Sequence, residues 1–381
     1  MQNYKIPFNK PFIAGKELYY IVQSVIGGHS AGDGVYTKKC QELMERQFGA
    51  QKVLLTHSCT AALEMAALLC HIKEGDEVIM PSFTFVSTAN AFFMRGAKPV
   101  FVDIRPDTLN IDEKRIEDAI TEKTRTIVVV HYAGVGCEMD TIMNIARKHD
   151  IIVIEDAAQG VNAKFKDQYL GTIGDIGCYS FHETKNVISG EGGAIVLNDP
   201  QYFERAEILR EKGTNRSKFF RGEVDKYTWV DIGSSYLPSD IVAAFLYAQL
   251  ENMDAINARR EEIFNLYYRE LIPLVNNGYL KLPYISRNCM SNSHLFYILL
   301  NDEGTRNDLM DYLKSKGILA VFHYLPLHLS RVGRKLGYQE GSLPLTESIS
   351  SRLLRLPFYY GLMEKEQAEV VETIRSFFHG H

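Results

Sequence analysis

The sequence predicts an α/β protein in which a mostly parallel sheet is wrapped by helices and followed by a smaller α/β unit. Short apolar runs alternate with helical patterns over the first 200 residues, and this alternation is typical of parallel sheets. The run at residues 151–154 is apolar throughout, as in strands buried on both faces. A chain of 381 residues, 46% of them hydrophobic, can bury two cores. We therefore predict a large domain at residues 1–240 and a small one at 241–381.

The predicted helices have periodic apolar positions and recognisable ends. The helix at residues 35–48 places Cys40, Met44 and Phe48 on one face, and Gly49 is a suitable C-terminal stop. Helices are predicted at residues 16–26, 35–48, 61–69, 113–120, 139–148, 202–212, 239–271, 306–316 and 367–377. Strands, which are shorter apolar runs between turn residues, are predicted at residues 53–55, 77–80, 99–102, 126–131, 151–154, 194–197, 294–300 and 318–324.

The composition excludes several classes of protein. A net charge of −5 with dispersed basic residues argues against binding to nucleic acid. The six cysteines include no C-x-x-C pair and no zinc-ligand spacing, so we predict reduced thiols, no metal and a cytoplasmic location. No run approaches the ~20 apolar residues of a membrane span, and the N-terminus lacks a signal-peptide core.

Two stretches before the middle of the chain could contact a cofactor. Ser58 is a plausible N-cap for the helix that follows, and the amides of Cys59 and Thr60 would then face an anion such as a phosphate. A capped helix without a ligand is the simpler alternative. Phe85 follows a predicted strand, where an aromatic ring could lie flat on a cofactor, although aromatic residues at such places more often belong to the core.

A lysine and an aspartate are the strongest candidates for catalysis. Lys185 lies in a short polar turn between apolar runs, and Asp156 ends a buried strand 29 positions earlier. Gln159 follows at the same edge of the sheet, where open α/β sheets bind ligands. An amine that can form an imine and a carboxylate that keeps a pyridine nitrogen protonated are the groups that pyridoxal 5'-phosphate (PLP) requires. A single lysine, taken alone, is more often a surface charge.

A nicotinamide enzyme is a rival hypothesis. Gly134 and Gly136 follow a strand, and Asp156 lies twenty positions beyond Gly136, as in a dinucleotide-binding fingerprint. Met139 occupies the place of the third glycine, which argues against close packing of helix on strand.

Residues 214–233 combine arginines and aromatic residues without a clear period. Arg216 and Arg221 could contact a pyrophosphate, and Phe219, Phe220 and Tyr227 could border a base or a sugar. We interpret the segment either as a lid over a phosphorylated substrate or as a solvated loop.

The whole chain resembles the DegT/DnrJ/StrS family of sugar-nucleotide aminotransferases. The motifs that support the resemblance are residues 60–63 (TAAL), 81–85 (PSFTF), 155–159 (EDAAQ), 180–186 (SFHETKN) and 323–328 (HYLPLH). The resemblance implies an aspartate aminotransferase-like fold of type I, a homodimer with shared active sites, and PLP with pyridoxamine 5'-phosphate as its aminated form.

The same resemblance implies roles for individual residues. Lys185 would hold PLP through its amine, Asp156 would pair with the ring nitrogen and Gln159 would lie near the ring oxygen. Further cofactor contacts would come from the phosphate ligands Ser180, Cys59 and Thr60 and from the stacking ring of Phe85. On the substrate side the candidates are Arg216, Arg221, Tyr324 and His328. Many relatives carry asparagine in a Gly-x-Asn-x pattern where this chain has Ser235, which leaves a hydroxyl for the partner's phosphate.

The expected activity is transamination of a nucleotide-linked keto-sugar, dTDP-4-keto-6-deoxyglucose, with L-glutamate as donor. Lys185 distinguishes the chain from relatives that carry histidine there and dehydrate sugars. The alternatives are an aminotransferase for another keto-sugar, a dehydratase of the same fold, or a PLP-fold sensor without turnover.

Overall fold

The computed structural model describes residues 4–379. Within this range thirteen strands form one large sheet and two small ones. The strands are β1 Lys52–Thr56, β2 Glu77–Pro81, β3 Lys98–Val102, β4 Thr124–Val130, β5 Ile152–Asp156, β6 Lys164–Phe165, β7 Gln168–Tyr169, β8 Ile176–Ser180, β9 Gly193–Leu197, β10 Leu280–Lys281, β11 Cys289–Met290, β12 Tyr297–Leu300 and β13 Leu353–Arg355.

The α-helices mostly connect or cover these strands. They are α1 Glu17–Ile26, α2 Val35–Phe48, α3 Cys59–Leu69, α4 Val86–Phe93, α5 Met139–His149, α6 Phe203–Arg210, α7 Arg216–Phe220, α8 Asp240–Glu251, α9 Met253–Asn276, α10 Glu303–Ser315, α11 Arg331–Lys335, α12 Pro344–Arg352 and α13 Glu364–His379. None of the helices in residues 4–379 is both long and apolar enough to cross a membrane.

The central sheet has seven strands in the order β1-β9-β8-β5-β4-β2-β3. Neighbours from β8 to β3 run parallel, and only β9 runs antiparallel to both of its neighbours. The prediction of a mostly parallel sheet is therefore confirmed. Because β5 and β8 are adjacent and parallel, their carboxyl ends open at the same edge of the sheet.

Helices cover both faces of this sheet, and alternate residues of each strand enter different cores. In β1, Val53 and Leu55 pack in a cluster with α2, α5 and α8, whereas Leu54 packs in a cluster with α3, α4 and α6. A third cluster joins α9, α10 and α13 to the sheet β10-β12-β13. The division of the chain into domains at residue 240 stays a prediction.

Three predicted elements were wrong in type or extent. Residues 113–120 form two separate 3-10 turns, Glu113–Arg115 and Glu117–Ala119, rather than a helix. The helix predicted at residues 239–271 is interrupted at Asn252, whose side-chain amide donates to the carbonyl of Ala248 at 2.8 Å and so competes with the helical backbone. Residues 318–324 contribute only isolated bridges, such as the one from Val321 to Arg355.

Strand β8 was not predicted, although it is central to the site. It contains Gly177, and its five residues are all buried. A Cβ on Gly177 would lie 2.1 Å from the carbonyl oxygen of Gly171, so this position requires glycine. A short strand with an interior glycine has little strand propensity of its own, and its burial between β5 and β9 compensates for that.

Candidate active site

The candidate site lies where β5 and β8 end, beside the N-terminus of α3. Strand β5 ends at Asp156 and β8 at Ser180. The chain then forms a tight turn and returns as β9, with the amide of Phe181 donating to the carbonyl of Gly192 at 2.8 Å. The amide of Lys185 donates to the carbonyl of His182 at 2.9 Å. The predicted turn for Lys185 is therefore observed, and it begins beside Asp156.

Asp156 is a buried carboxylate with two hydrogen-bond donors. Asp156 is only 5% exposed. The hydroxyl of Thr88 donates to Oδ2 at 2.6 Å, and the amide of Ala158 donates to Oδ1 at 3.2 Å. Burial raises the pKa of Asp156 above its usual value, and these hydrogen bonds with the positive charge of Lys185 oppose that rise. A further cationic group beside Asp156 would therefore stabilise the charged form of its carboxylate.

The surroundings of Lys185 disfavour the positively charged form of its amine. Burial lowers the pKa of Lys185, and the negative charge of Asp156 partly opposes this effect. A lowered pKa increases the neutral fraction of the amine, which is the nucleophilic form. Gln159, Ser180 and His294 line a small cavity together with Lys185. The structure therefore brings together three residues that the sequence predicted and one that it did not.

The N-terminus of α3 provides a site for an anion. Ser58 caps the helix by accepting a hydrogen bond from the amide of Ala61 at 3.1 Å. The amides of Cys59 and Thr60 have no acceptor in residues 4–379. Gly193 lies against them, because a Cβ there would come within 2.4 Å of the Cys59 nitrogen. Two free amides at a helix N-terminus, beside the end of β8, fit the phosphate of PLP.

Gln159 connects the cavity to an aromatic wall that contains Tyr324 and Phe85. Its Oε1 accepts from the amide of Ala133 at 2.7 Å, and its Nε2 donates to the hydroxyl of Tyr324 at 3.1 Å. The Tyr324 hydroxyl can therefore donate onward to a ligand. Phe85 is 58% exposed, with its ring centroid 6.5 Å from that of Tyr324. Phe85 is thus not a core residue in this chain, and its stacking on a cofactor stays a prediction.

The sequence did not reveal a polar network behind Lys185. The side-chain amide of Asn186 donates to the carbonyl of Asn292 at 2.7 Å and to Asn257 at 3.1 Å. Its Oδ1 consequently accepts, at 3.0 Å, from Nδ1 of His294. Burial and the positive charge of Lys185 hold the pKa of His294 well below its usual value, so the ring is neutral. Asn186 is next to Lys185 in the sequence, and adjacency alone could have suggested it.

The predicted substrate contact of His328 is not supported. The ring is fully buried, its Nδ1 lies 2.7 Å from the hydroxyl of Ser82, and its Nε2 lies 2.9 Å from Glu347. Both ring nitrogens are therefore used inside the fold. The sequence identified the histidine but could not show that Ser82 and Glu347 are the partners of its two ring nitrogens.

The segment at residues 214–233 packs on α6 in this chain. The guanidinium of Arg221 binds both carboxylate oxygens of Glu207, at 2.9 and 3.1 Å, and also Glu223. Arg216 lies 3.8 Å from Glu211, with its guanidinium 5.1 Å from the ring centroid of Phe220. Neither arginine forms a hydrogen bond with the Lys185 turn in residues 4–379. Arg216 is the less restrained of the two, and their contact with substrate stays a prediction.

Ser235 is exposed and pairs with Glu211 through a single bridge, and its predicted phosphate contact stays a prediction.

The two glycines of the dinucleotide hypothesis have a packing role in this chain. A Cβ on Gly134 would lie 1.9 Å from the side-chain oxygen of Asn292, and one on Gly136 would lie 3.0 Å from Phe165. Close packing of these side chains accounts for both glycines without a bound pyrophosphate.

Known proteins are similar to this chain over nearly its full length. One curated relative, described as an uncharacterized protein (MJ1066) of Methanocaldococcus jannaschii, is 37% identical over 349 residues, covering 90% of each chain. The spore coat polysaccharide biosynthesis protein SpsC of Bacillus subtilis is 30% identical over 390 residues, covering 100% of this chain and 98% of SpsC.

A solved structure agrees with the fold and the cofactor. The putative sugar aminotransferase Spr1654 of Streptococcus pneumoniae, in its PLP form, has a TM-score of 0.91 at 26% identity and covers 99% of each chain. It is also known in a pyridoxamine phosphate (PMP) form. The cofactor is therefore PLP, with pyridoxamine 5'-phosphate as its aminated form. The model of the DegT/DnrJ/EryC1/StrS aminotransferase family matches residues 13–375, and the chain belongs to this family of PLP-dependent sugar aminotransferases of fold type I.

Proposed function

We propose that this chain transfers the amino group of L-glutamate to dTDP-4-keto-6-deoxyglucose, giving dTDP-4-amino-4,6-dideoxygalactose and 2-oxoglutarate. The single observation that supports transamination is the placement of Lys185 and Asp156 at adjacent strand ends beside the free amides of α3. The choice of sugar rests on the motif at residues 180–186 and on the Arg/aromatic segment that follows, which together resemble that branch of the family. The product would be a precursor of a surface polysaccharide of the O-antigen or enterobacterial common antigen type, and the enzyme would act in the cytoplasm.

Each residue of the site has a proposed task. When bound, PLP withdraws electrons from the carbon that loses its proton. Asp156, held by Thr88, pairs with the ring nitrogen and keeps it protonated. The amides of Cys59 and Thr60, with the hydroxyl of Ser180, bind the phosphate.

Lys185 moves the proton. With the cofactor and the donor bound, the neutral Nζ of Lys185 would remove the proton from the α-carbon of glutamate and hold it for return when the amino group is transferred. The lowered pKa of Lys185 favours this role, because an ammonium group cannot accept a proton. The same group works in the opposite direction when the keto-sugar receives the nitrogen.

We extend the proposal to a homodimer with shared active sites. Helix α1 presents Leu18, Val22 and Ile26 on one face, 73%, 49% and 75% exposed. Such a stripe is typical of a surface that is covered by another protein. In that assembly Ser235 and Arg216 would act in the site of the partner. Analytical ultracentrifugation, with Leu18→Glu as the disrupting variant, tests this part.

The decisive experiment combines the purified protein with L-glutamate and dTDP-4-keto-6-deoxyglucose, followed by NMR of the product. Coupling constants around the aminated carbon establish its position and configuration. Lys185→Ala should fold and show no turnover, since it lacks the proton carrier. A glucose-configured or 3-amino product would replace the proposed sugar with another, and a dehydrated product would favour the dehydratase alternative. PLP bound without any turnover would favour the sensor.

A further inference from the structure

Arg355 is a cation without an anionic partner at the wall of the active site. Its Nε is buried and has no hydrogen-bond partner, and no carboxylate in residues 4–379 forms an ion pair with its guanidinium. The guanidinium carbon lies 4.6 Å from the ring centroid of Phe8. Arg355 is half-buried, and an arginine stays charged at neutral pH. The guanidinium is therefore a charge that no carboxylate of residues 4–379 neutralises.

Strand pairing places Arg355 beside the aromatic residues at the wall of the candidate site. Its backbone exchanges hydrogen bonds of 2.8 and 3.0 Å with Val321, two residues before His323, and it faces Tyr297 across the β12–β13 pair. The ring of Tyr297 packs on that of Tyr132, with centroids 5.9 Å apart. Tyr132 in turn contacts His323, with 3.2 Å between its hydroxyl and the ring Nδ1. These contacts join Arg355 to the wall that contains Tyr324.

The other basic groups near this wall, His323, His294 and Lys185, have lowered pKa values. Burial and the charge of Arg355 hold the pKa of His323 well below its usual value, and those of Lys185 and His294 are lowered for the same reasons. The two imidazoles are neutral, whereas Arg355 and Arg260 are fixed positive charges near them. Arg260 donates to the backbone carbonyls of Ser293 and His294, so Arg355 is the one that an anionic ligand would neutralise.

We infer that Arg355 binds the α-carboxylate of the amino donor, an assignment that rests on the proposed transamination. The α-carboxylate is attached directly to the carbon from which Lys185 must remove a proton, so it has to lie near Lys185. The diphosphate of a nucleotide sugar is attached on the far side of the sugar ring from the keto carbon at position four. A planar guanidinium can also hold a carboxylate with two parallel hydrogen bonds.

The test uses the PLP-loaded enzyme and 2-methyl-L-glutamate, which has no α-proton and therefore binds without being transaminated. Calorimetry should show that Arg355→Met raises the Kd for this compound roughly 10- to 100-fold. Arg355→Lys should have a smaller effect, because it keeps the charge and loses the fork. The Kd for dTDP-glucose should stay within about twofold of wild type.

Arg306→Met is the matched control. Arg306 also has a buried Nε without a partner, but it pairs with Glu303 at 3.6 Å and stacks on Phe322, with its guanidinium 5.7 Å from the ring centroid. Its removal should leave both Kd values unchanged. Without ligand, Arg355→Met should melt at the same temperature as wild type or higher, because it removes a charge that has no anionic partner, whereas a structural arginine would lower the Tm when replaced.

The outcomes separate this inference from the proposed function. Arg355-dependent binding of the glutamate analogue without amination of any keto-sugar would support the inference and reject the function. Amination with an unchanged Kd in Arg355→Met would reject the inference and support the function. Wild-type enzyme that fails to bind the analogue, or a penalty that falls on dTDP-glucose instead, would also overturn the assignment. If the Met variant does not fold, the Lys variant decides.

Discussion

Replacing Thr88 by valine should impair catalysis through a residue that does not touch the substrate. The hydroxyl of Thr88 donates to Oδ2 of Asp156 at 2.6 Å and lies 2.8 Å from that of Thr84. Valine has nearly the same shape but no hydroxyl. Among residues 4–379, only the amide of Ala158 would then donate to the carboxylate.

The magnitude follows from the charge on the acceptor. A hydrogen bond to a charged group contributes about 1.5–3 kcal/mol, or roughly 10- to 100-fold in an equilibrium. Burial already raises the pKa of Asp156, and the Thr88 hydrogen bond is the largest effect that opposes the rise. Its loss should raise the pKa further, so the carboxylate becomes protonated, and inactive as the ring's partner, at a higher pH. The acid limb of the activity profile should therefore move towards neutral pH.

Thr126→Val is the matched control for this experiment. Thr126 lies on β4 of the same sheet, and its hydroxyl is buried without a hydrogen-bond partner. The rate at which glutamate bleaches the yellow enzyme should be measured from pH 5 to 9 for wild type and both variants. Thr126→Val should follow wild type, with Thr88→Val roughly 10-fold slower at the acid end. Profiles that superimpose for all three proteins would refute the role of Thr88.

Three further predictions concern the site. Asp156→Asn should slow the glutamate half-reaction on the order of 10²-fold. The raised pKa of Asp156 means that the unliganded protein loses stability as the pH rises above about 3.8, the ordinary pKa of this carboxyl group in the unfolded chain. Asp156→Asn should abolish that loss in thermal melts between pH 4 and 7. The lowered pKa of Lys185 predicts that borohydride at pH 7 fixes the pyridoxyl group mainly on Lys185, with surface lysines labelled only as pH rises, which peptide mass spectrometry will show. Arg216→Ala should raise the KM for the keto-sugar nucleotide roughly 10- to 100-fold and leave the glutamate half-reaction unchanged. Arg221→Ala should raise this KM less, because Glu207 already binds the guanidinium of Arg221. Equal effects on both half-reactions would show that the segment is structural.

Local patterns in the chain were sufficient for most of the fold. The periodicity of residues 35–48 and the glycine after them predicted α2 with its observed ends, and Ser58 was found as the N-cap of α3. Apolar runs and their alternation with helices predicted the parallel sheet. These features depend on interactions between residues close in sequence, so the sequence displays them directly. The errors arose where a local signal was weak or was overridden, as at Asn252 and in β8.

The sequence by itself predicted Lys185 and Asp156 as the candidate catalytic pair, because Asp156 ends a recognisable apolar strand and Lys185 lies in a polar turn of a family motif. Only the tertiary structure decided what surrounds them. Thr88 reaches Asp156 from 68 positions away, and His294 meets Asn186 from 108. Arg355 enters the wall of the site through the pairing of β13 with β12. Such contacts follow from strand order and from packing between distant elements, and no local propensity encodes which partner a buried hydroxyl, imidazole or guanidinium will meet.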